Sequence, residues 1–187
     1  PFIDTNIFVA ALNKKDKNHQ KGRDILIKAF KKFQWLHTSD YVLNECLTVA
    51  WARTKNTNLV QQLDNLIQAS EKIQILKVDE TTFATAKSYM RKHPNIIPTL
   101  TDWTTLVLMQ DNKIPEILTF DTDFDAIKNM PEFTKIKRIH GTSQSKLNEP
   151  MNAATCGFVV DEINRILDYL YPALANEIQQ LKQLMQG

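Results

Sequence analysis

Cysteine is scarce in this 187-residue sequence: only Cys46 and Cys156 occur, far apart. Two such residues make neither a disulfide framework nor a zinc-finger spacing, so a reducing, cytoplasmic setting is expected. The four histidines, His19, His37, His93 and His140, are scattered, and no two stand at metal-ligand spacing. No apolar run is long enough to cross a bilayer, so no membrane role is expected. The opening Pro-Phe-Ile-Asp reads as a strand ending in a charge rather than as a signal peptide. Internal repeats and low-complexity tracts are also missing, which argues against solenoids and biased tails.

What is present suits an ordinary globular protein, with 43% hydrophobic and 24% charged residues. The length fits one domain, or one domain with an appendage, and allows a core without disulfides or structural metal. The net charge of +2 is unevenly spread. Residues 1–140 carry 20 Lys/Arg against 16 Asp/Glu (+4), and residues 141–187 carry 3 against 5 (−2). Lys14, Lys15, Lys17, Lys21, Arg23, Lys28, Lys31 and Lys32 crowd one stretch. Such a stretch either attracts phosphate or is simply a solvated helix face.

Along the chain, strands and helices alternate. Phe2-Ile3-Asp4 reads as a short buried strand. Ile25, Leu26, Ala29, Phe30 and Phe33 give residues 18–33 a helical period. Residues 35–38 suggest a second strand, and Ser39-Asp40 a cap for the helix carrying Val42, Leu43 and Leu47. Residues 59–69 are again helical, residues 73–78 alternate as a strand, and Asp79 caps a helix running to about Met90. Pro94 and Pro98 bracket a loop. Thr101 is the expected cap of a helix reaching Met109, residues 116–120 the next strand, and residues 136–139 the last. This alternation predicts an α/β/α sandwich around a mainly parallel sheet, whose ligands bind beyond the carboxyl ends of the strands. Asp4 and Asp121 both follow such ends.

The character changes after Gly141. The expected division is a domain over 1–141, a polar, turn-rich linker over 142–157, and a helical extension over 158–187. Val159, Ile163, Ile166, Leu167 and Leu170 form one apolar stripe. Pro172 suits the first turn of a second helix, striped by Leu174, Ile178, Leu181 and Met185. Three readings of this tail stand open: an extension folded over the domain, a surface for self-association or a protein partner, or a foreign segment fused through residues 142–150, with Met151 as its original start.

Four acidic motifs occur in order: Ile3-Asp4-Thr5-Asn6, Asp40-Tyr41-Val42-Leu43-Asn44-Glu45, Leu100-Thr101-Asp102, and Leu118-Thr119-Phe120-Asp121-Thr122-Asp123. Singly, each acid has a plain reading as a turn, cap or loop residue. Together, over roughly residues 1–140, they resemble the PIN-domain family, and most closely its VapC-like toxin ribonucleases. The resemblance implies a metal-dependent endoribonuclease with Asp4, Glu45, Asp102 and Asp121 as its acidic set. Asp4 would be the central ligand, with Asp102 and Asp121 completing the set and Asp123 assisting or replacing Asp121. Glu45 would orient a water or hold a second ion. Thr5, Asn6 and Thr119 are the expected donors fixing the carboxylates. An all-oxygen donor set fits Mg²⁺ or Mn²⁺ rather than zinc, and a cation relieves the repulsion of gathered carboxylates. One ion or two are both compatible. The Trp103-Thr104-Thr105 that follows Asp102 is bulkier than the small aliphatic residues common in the family.

The resemblance also implies RNA as substrate, homodimers, and a partner antitoxin. Lys14, Lys15, Lys17, Lys21, Arg23 and Arg53 are candidate backbone contacts. Trp35, Trp51 and Trp103 would stack on bases if exposed, or pack in the core. Two other readings remain: a PIN-fold module that binds RNA or protein without cutting, and an RNA-processing nuclease with no antitoxin.

Overall fold

A computed structural model describes residues 1–96 and 99–139. The expected linker and helical tail lie outside the described residues.

Five strands form one sheet: β1 (Phe2–Ile3), β2 (Leu36–Ser39), β3 (Ile73–Leu76), β4 (Glu116–Leu118) and β5 (Lys137–Ile139), in the order β3-β2-β1-β4-β5. Every neighbouring pair is parallel. Parallel neighbours need crossovers, and helices supply most of them. Helices α1 (Thr5–Leu12) and α2 (His19–Lys32) join β1 to β2. Helices α3 (Asp40–Thr54) and α4 (Thr57–Ala69) join β2 to β3. Helices α5 (Glu80–Lys92) and α6 (Leu100–Asp111) carry the chain back to β4. The first two crossovers move one way along the sheet and the third moves the other. Right-handed connections therefore put α1–α4 and α5–α6 on opposite faces. The packing agrees, since α1 rests on α2, α3 and α4, and α5 rests on α6.

The direction of winding reverses beside β1. Its two neighbours are β2 on one side and β4 on the other, with Phe2 opposite both His37 and Ile117. Side chains part at such a reversal and leave a crevice at the carboxyl ends of the strands. Beneath it, Phe2, Ile3, Ile7, Phe8, Leu36, Leu106 and Ile117 are fully buried.

Two expectations need correction, and one helix was not expected. The cap of α6 is Thr99, not Thr101: Thr99 is extended and its hydroxyl accepts from the Asp102 amide, so α6 begins at Leu100. Strand β4 ends at Leu118, not Phe120, because the Phe120 amide bonds the Asn6 side chain rather than a strand. Helix α1 is not foreshadowed by any period in the sequence. All its residues but Asn6 are buried, so it shows no polar face.

Candidate active site

Each acidic candidate sits where a strand or loop turns into the next element. Asp4 leaves β1 and caps α1, and its own amide bonds the Leu118 carbonyl of β4 at 3.1 Å. Glu45 lies in the second turn of α3, which follows β2 and is capped by Ser39. Asp102 is the third residue of α6, and Asp121 follows β4 by three residues.

Asp4 is buried, with 7% exposure, and its carboxylate accepts three short hydrogen bonds. Oδ1 takes the Thr5 amide at 2.7 Å. Oδ2 takes the Asn6 amide nitrogen at 2.6 Å and the Thr119 hydroxyl at 2.6 Å. Thr119 is completely buried. Its oxygen also accepts the Asp121 amide at 3.0 Å and Asn6 Nδ2 at 2.8 Å. Asn6 Oδ1 accepts the Phe120 amide at 2.9 Å. Asn6 and Thr119 thus bind the first acidic position to the segment that carries the fourth. The Thr5 hydroxyl donates to Glu45 Oε2 at 2.9 Å, linking the first position to the second. The three donors named from the sequence are therefore the residues that join the acids.

Thr99 and Asp102 form a reciprocal cap: the Asp102 carboxylate accepts from the Thr99 amide and from its hydroxyl. Sequence reading missed Thr99, although Thr-x-x-Asp before an apolar run resembles the Ser/Thr-x-x-Glu capping signal. Asp121 Oδ1 accepts the Asp123 amide at 2.8 Å, closing a small turn. Asp123 opens a 3-10 segment, Asp123–Asn129, which Arg138 of β5 holds through the Asp125 carboxylate.

The charges of neighbouring acids reach Asp4 and Asp102: Asp102 and Glu45 act on the first, and Glu45 and Asp121 on the second. Burial pushes the Asp4 carboxyl up to about 7, Asp102 and Glu45 add like-charge repulsion, and the Thr119 and Thr5 bonds oppose the rise. Burial likewise lifts Asp102 to about 6, with Glu45 and Asp121 adding repulsion against the Thr99 bonds. Burial and the nearby Asp4 charge raise the Cys46 thiol well above its ordinary value, so it stays a packed thiol.

No three His, Cys, Asp or Glu side chains among the described residues stand close enough to form a ready-made metal cage. Like charges separate, and both Asp4 oxygens already hold donors. The donor chemistry still fits Mg²⁺ or Mn²⁺. Mg²⁺ commonly uses one or two carboxylates and keeps several waters, so it requires no closed cage.

The remaining candidates divide. Trp103 is fully buried, stacked near Tyr89 and His93, and cannot meet a base. The bulky residues after Asp102 therefore fill the core rather than the crevice, since Thr104 and Thr105 are buried too. Trp35 and Trp51 are each 45% exposed. Lys14, Lys15, Lys17 and Lys21 are exposed and Arg23 is half-buried. Arg53 pairs with Asp16 at 3.6 Å.

Comparison with known proteins agrees with this geometry. The model of the PIN domain matches residues 2–130. Among solved structures, the chain is similar to VapC20 of Mycobacterium tuberculosis, a sarcin-ricin-loop-cleaving toxin. The two are 23% identical with a TM-score of 0.61, over 67% of this chain and 92% of that one. At that identity the likeness shows the fold alone. No curated protein matches the chain.

Proposed function

The chain belongs to the PIN-domain family, and from that premise we propose that it is a metal-dependent endoribonuclease of the VapC-like toxin kind. Asp4, Glu45, Asp102 and Asp121 form its acidic centre, with Asp123 beside Asp121. The observation that supports this reading is the placing of Asp4. A carboxylate that is buried, oriented by Thr5, Asn6 and Thr119, and strained by two neighbouring acids is a poor structural choice and a good cation ligand.

Asp4, Asp102 and Asp121 would hold Mg²⁺ or Mn²⁺, directly or through water. The ion supplies Lewis-acid activation of a water and charge neutralisation at the scissile phosphate. Asn6 and Thr119 fix the orientation of the Asp4 carboxylate through Oδ2, and Thr5 fixes that of Glu45 through Oε2. Glu45 would orient the attacking water or hold a second ion. The lysines between 14 and 21, with Arg23 and Arg53, would attract the RNA backbone without reading its sequence. A homodimer kept silent by an antitoxin, acting in the cytoplasm, completes this reading. No helix among the described residues is long and apolar enough to cross a membrane.

One observation favours a second reading. Both Asp4 oxygens are occupied by protein donors, and no ready-made cage is present among the described residues. A PIN-fold module that binds RNA or protein without cutting would look the same. A nuclease that processes RNA without an antitoxin is a variant of the first reading. Cleavage of a mixed RNA pool with Mg²⁺, Mn²⁺ or EDTA, alongside Asp4→Asn, separates cutting from binding. Cutting that requires the ion and falls at least a hundredfold in the variant supports the nuclease. Silence of the parent protein with either ion moves the conclusion to the binding module.

A further inference from the structure

Helix α3 connects the acidic crevice to a second, cationic end. Glu45 lies near its start and Arg53 in its last turn, eight residues or ~12 Å further along. Between them, Thr48 and Ala52 are exposed, Val49 is half-buried, and none carries charge. Thr48, Val49 and Ala52 follow Glu45 by three, four and seven residues, so they form one stripe leading away from it. At about 100° per residue, Arg53 borders this stripe on one side, and Trp51 and Lys55 border it on the other.

Both borders are built for a polyanion. On the first, Arg53 pairs with Asp16, which brings α3 against the loop carrying Lys15 and Lys17, both exposed. Asp16 is nearly buried, with 14% of its side chain exposed, whereas 59% of the Arg53 side chain is open. The face presented outward is therefore cationic. On the second border, Trp51 is 45% exposed and the Lys55 ammonium stands 5.2 Å from its ring centre. An exposed indole beside a cation offers a base a stacking surface and a phosphate a counter-charge.

We propose that this face of α3 is a track for single-stranded RNA, running from the acidic crevice to the Lys15–Lys17–Arg53 cluster, with Trp51 stacking one base on the way. The inference rests on the nuclease reading for the direction of the strand, but binding along the track does not require cutting. It assigns to this chain a preference for unpaired RNA that extends a few nucleotides beyond the cleaved bond.

The test uses the full chain carrying Asp4→Asn, with Trp35→Phe so that Trp51 is the exposed indole among the described residues. Labelled oligoribonucleotides of about three, six and nine nucleotides bracket the site sizes of roughly four upward found in single-strand grooves. Affinity is expected to rise about tenfold between the shortest and the longer chains, with Trp51 emission quenched by the longer ones alone. Reversing Lys15, Lys17 and Arg53 to Glu should remove that rise and lower the salt slope of binding by about 2, at about 0.7 per lost phosphate contact. Trp51→Ala, a milder surface change, should remove the quenching and most of the length effect. Unaltered length dependence and salt slope in the charge-reversed protein, or an unquenched Trp51, overturns the track. Cleavage by the unsubstituted protein is read in parallel. RNA bound along the track but left uncut defeats the nuclease reading alone, and RNA cut with Trp51 silent defeats the track alone.

Discussion

Asp4 is held where a carboxylate is least favoured as an anion: buried, beside two other acids, and lifted to about 7. The unfolded chain would ionise it near its ordinary value of about 3.9. Because the folded pKa is the higher one, its contribution to stability is complete below about pH 4 and is lost as pH rises through 7. In EDTA, Asp4→Asn should therefore gain stability relative to the parent progressively as pH rises from about 4 to about 7. The amide also places an N–H donor against Asn6 or Thr119, but that cost does not vary with pH, so the pH dependence of the difference reports the Asp4 carboxyl together with its coupling to Asp102. Thermal melts of both proteins across that range check it, and a constant difference would contradict the burial argument. Thr119 gives a second residue-scale outcome. Thr119→Val keeps the shape but removes the donor to Asp4 and the acceptor for the Asp121 amide. Metal affinity should fall about 10–100-fold, as is typical when a ligand's supporting bond is lost, with the fold retained on circular dichroism. Thr5, Asn6 and Thr119 were legible in the sequence because they border motif acids. Thr99 was passed over for Thr101, the same residue type, although Thr99 alone has an acid three residues on, at Asp102, to complete a capping box.

At the scale of elements, those legible in the sequence were the ones with contrast. Helices α2 and α4 have a wet face and a dry face, and their periods showed it, while α5 was marked by its Asp79 cap. Helix α1 is wrapped by its neighbours and has almost no polar side, so periodicity had nothing to report. Its packing makes a prediction through Gly22 of α2. A Cβ there would meet the Ala11 backbone nitrogen at 3.0 Å and the Ala10 Cβ at 3.1 Å. Ala is the better helix former by about 1 kcal/mol, but here it must push apart two helices whose contact is backbone. Gly22→Ala is expected to destabilise by about 1–3 kcal/mol, the usual cost of overpacking, in a denaturant titration. A gain in stability would mean that α1 and α2 separate easily. The 3-10 segment after Asp121 depends on a different device. Arg138 is nearly buried, with 10% of its side chain exposed, and its contact with Asp125 ties this segment to the edge strand β5. Arg138→Met leaves Asp125 without that partner and frees the loop carrying Asp121 and Asp123. Ion affinity should drop more than the global melting temperature suggests, and Arg138→Lys should restore it only in part, since Lys lacks the planar fork.

For the whole molecule, alternating strand and helix signals gave the class of fold, because a parallel sheet needs a crossover between every pair of strands. The strand order β3-β2-β1-β4-β5 was not legible, since nothing local in β4 says that it pairs with β1 rather than β3. That order is what makes a site: it sets the ends of β1 and β4 side by side and places Asp4 and Asp121 on either side of the reversal. Burial and the charge of neighbouring acids then raise the proton affinity of Asp4 and of Asp102, which lie almost a hundred residues apart in sequence. Protons and a divalent cation must compete for such a site. Metal ligands bind as anions, so ion affinity should fall as pH drops through about 7 and then 6, where Asp4 and Asp102 take up protons. An ion that binds only the folded chain raises its stability by an amount that grows with the ratio of ion concentration to Kd. Mn²⁺ should therefore raise the melting temperature by several degrees at about pH 8 and scarcely at about pH 5, and the rise should vanish with EDTA or in Asp4→Asn. An equal shift at both pH values would place the bound ion elsewhere on the surface, away from the carboxyls that titrate.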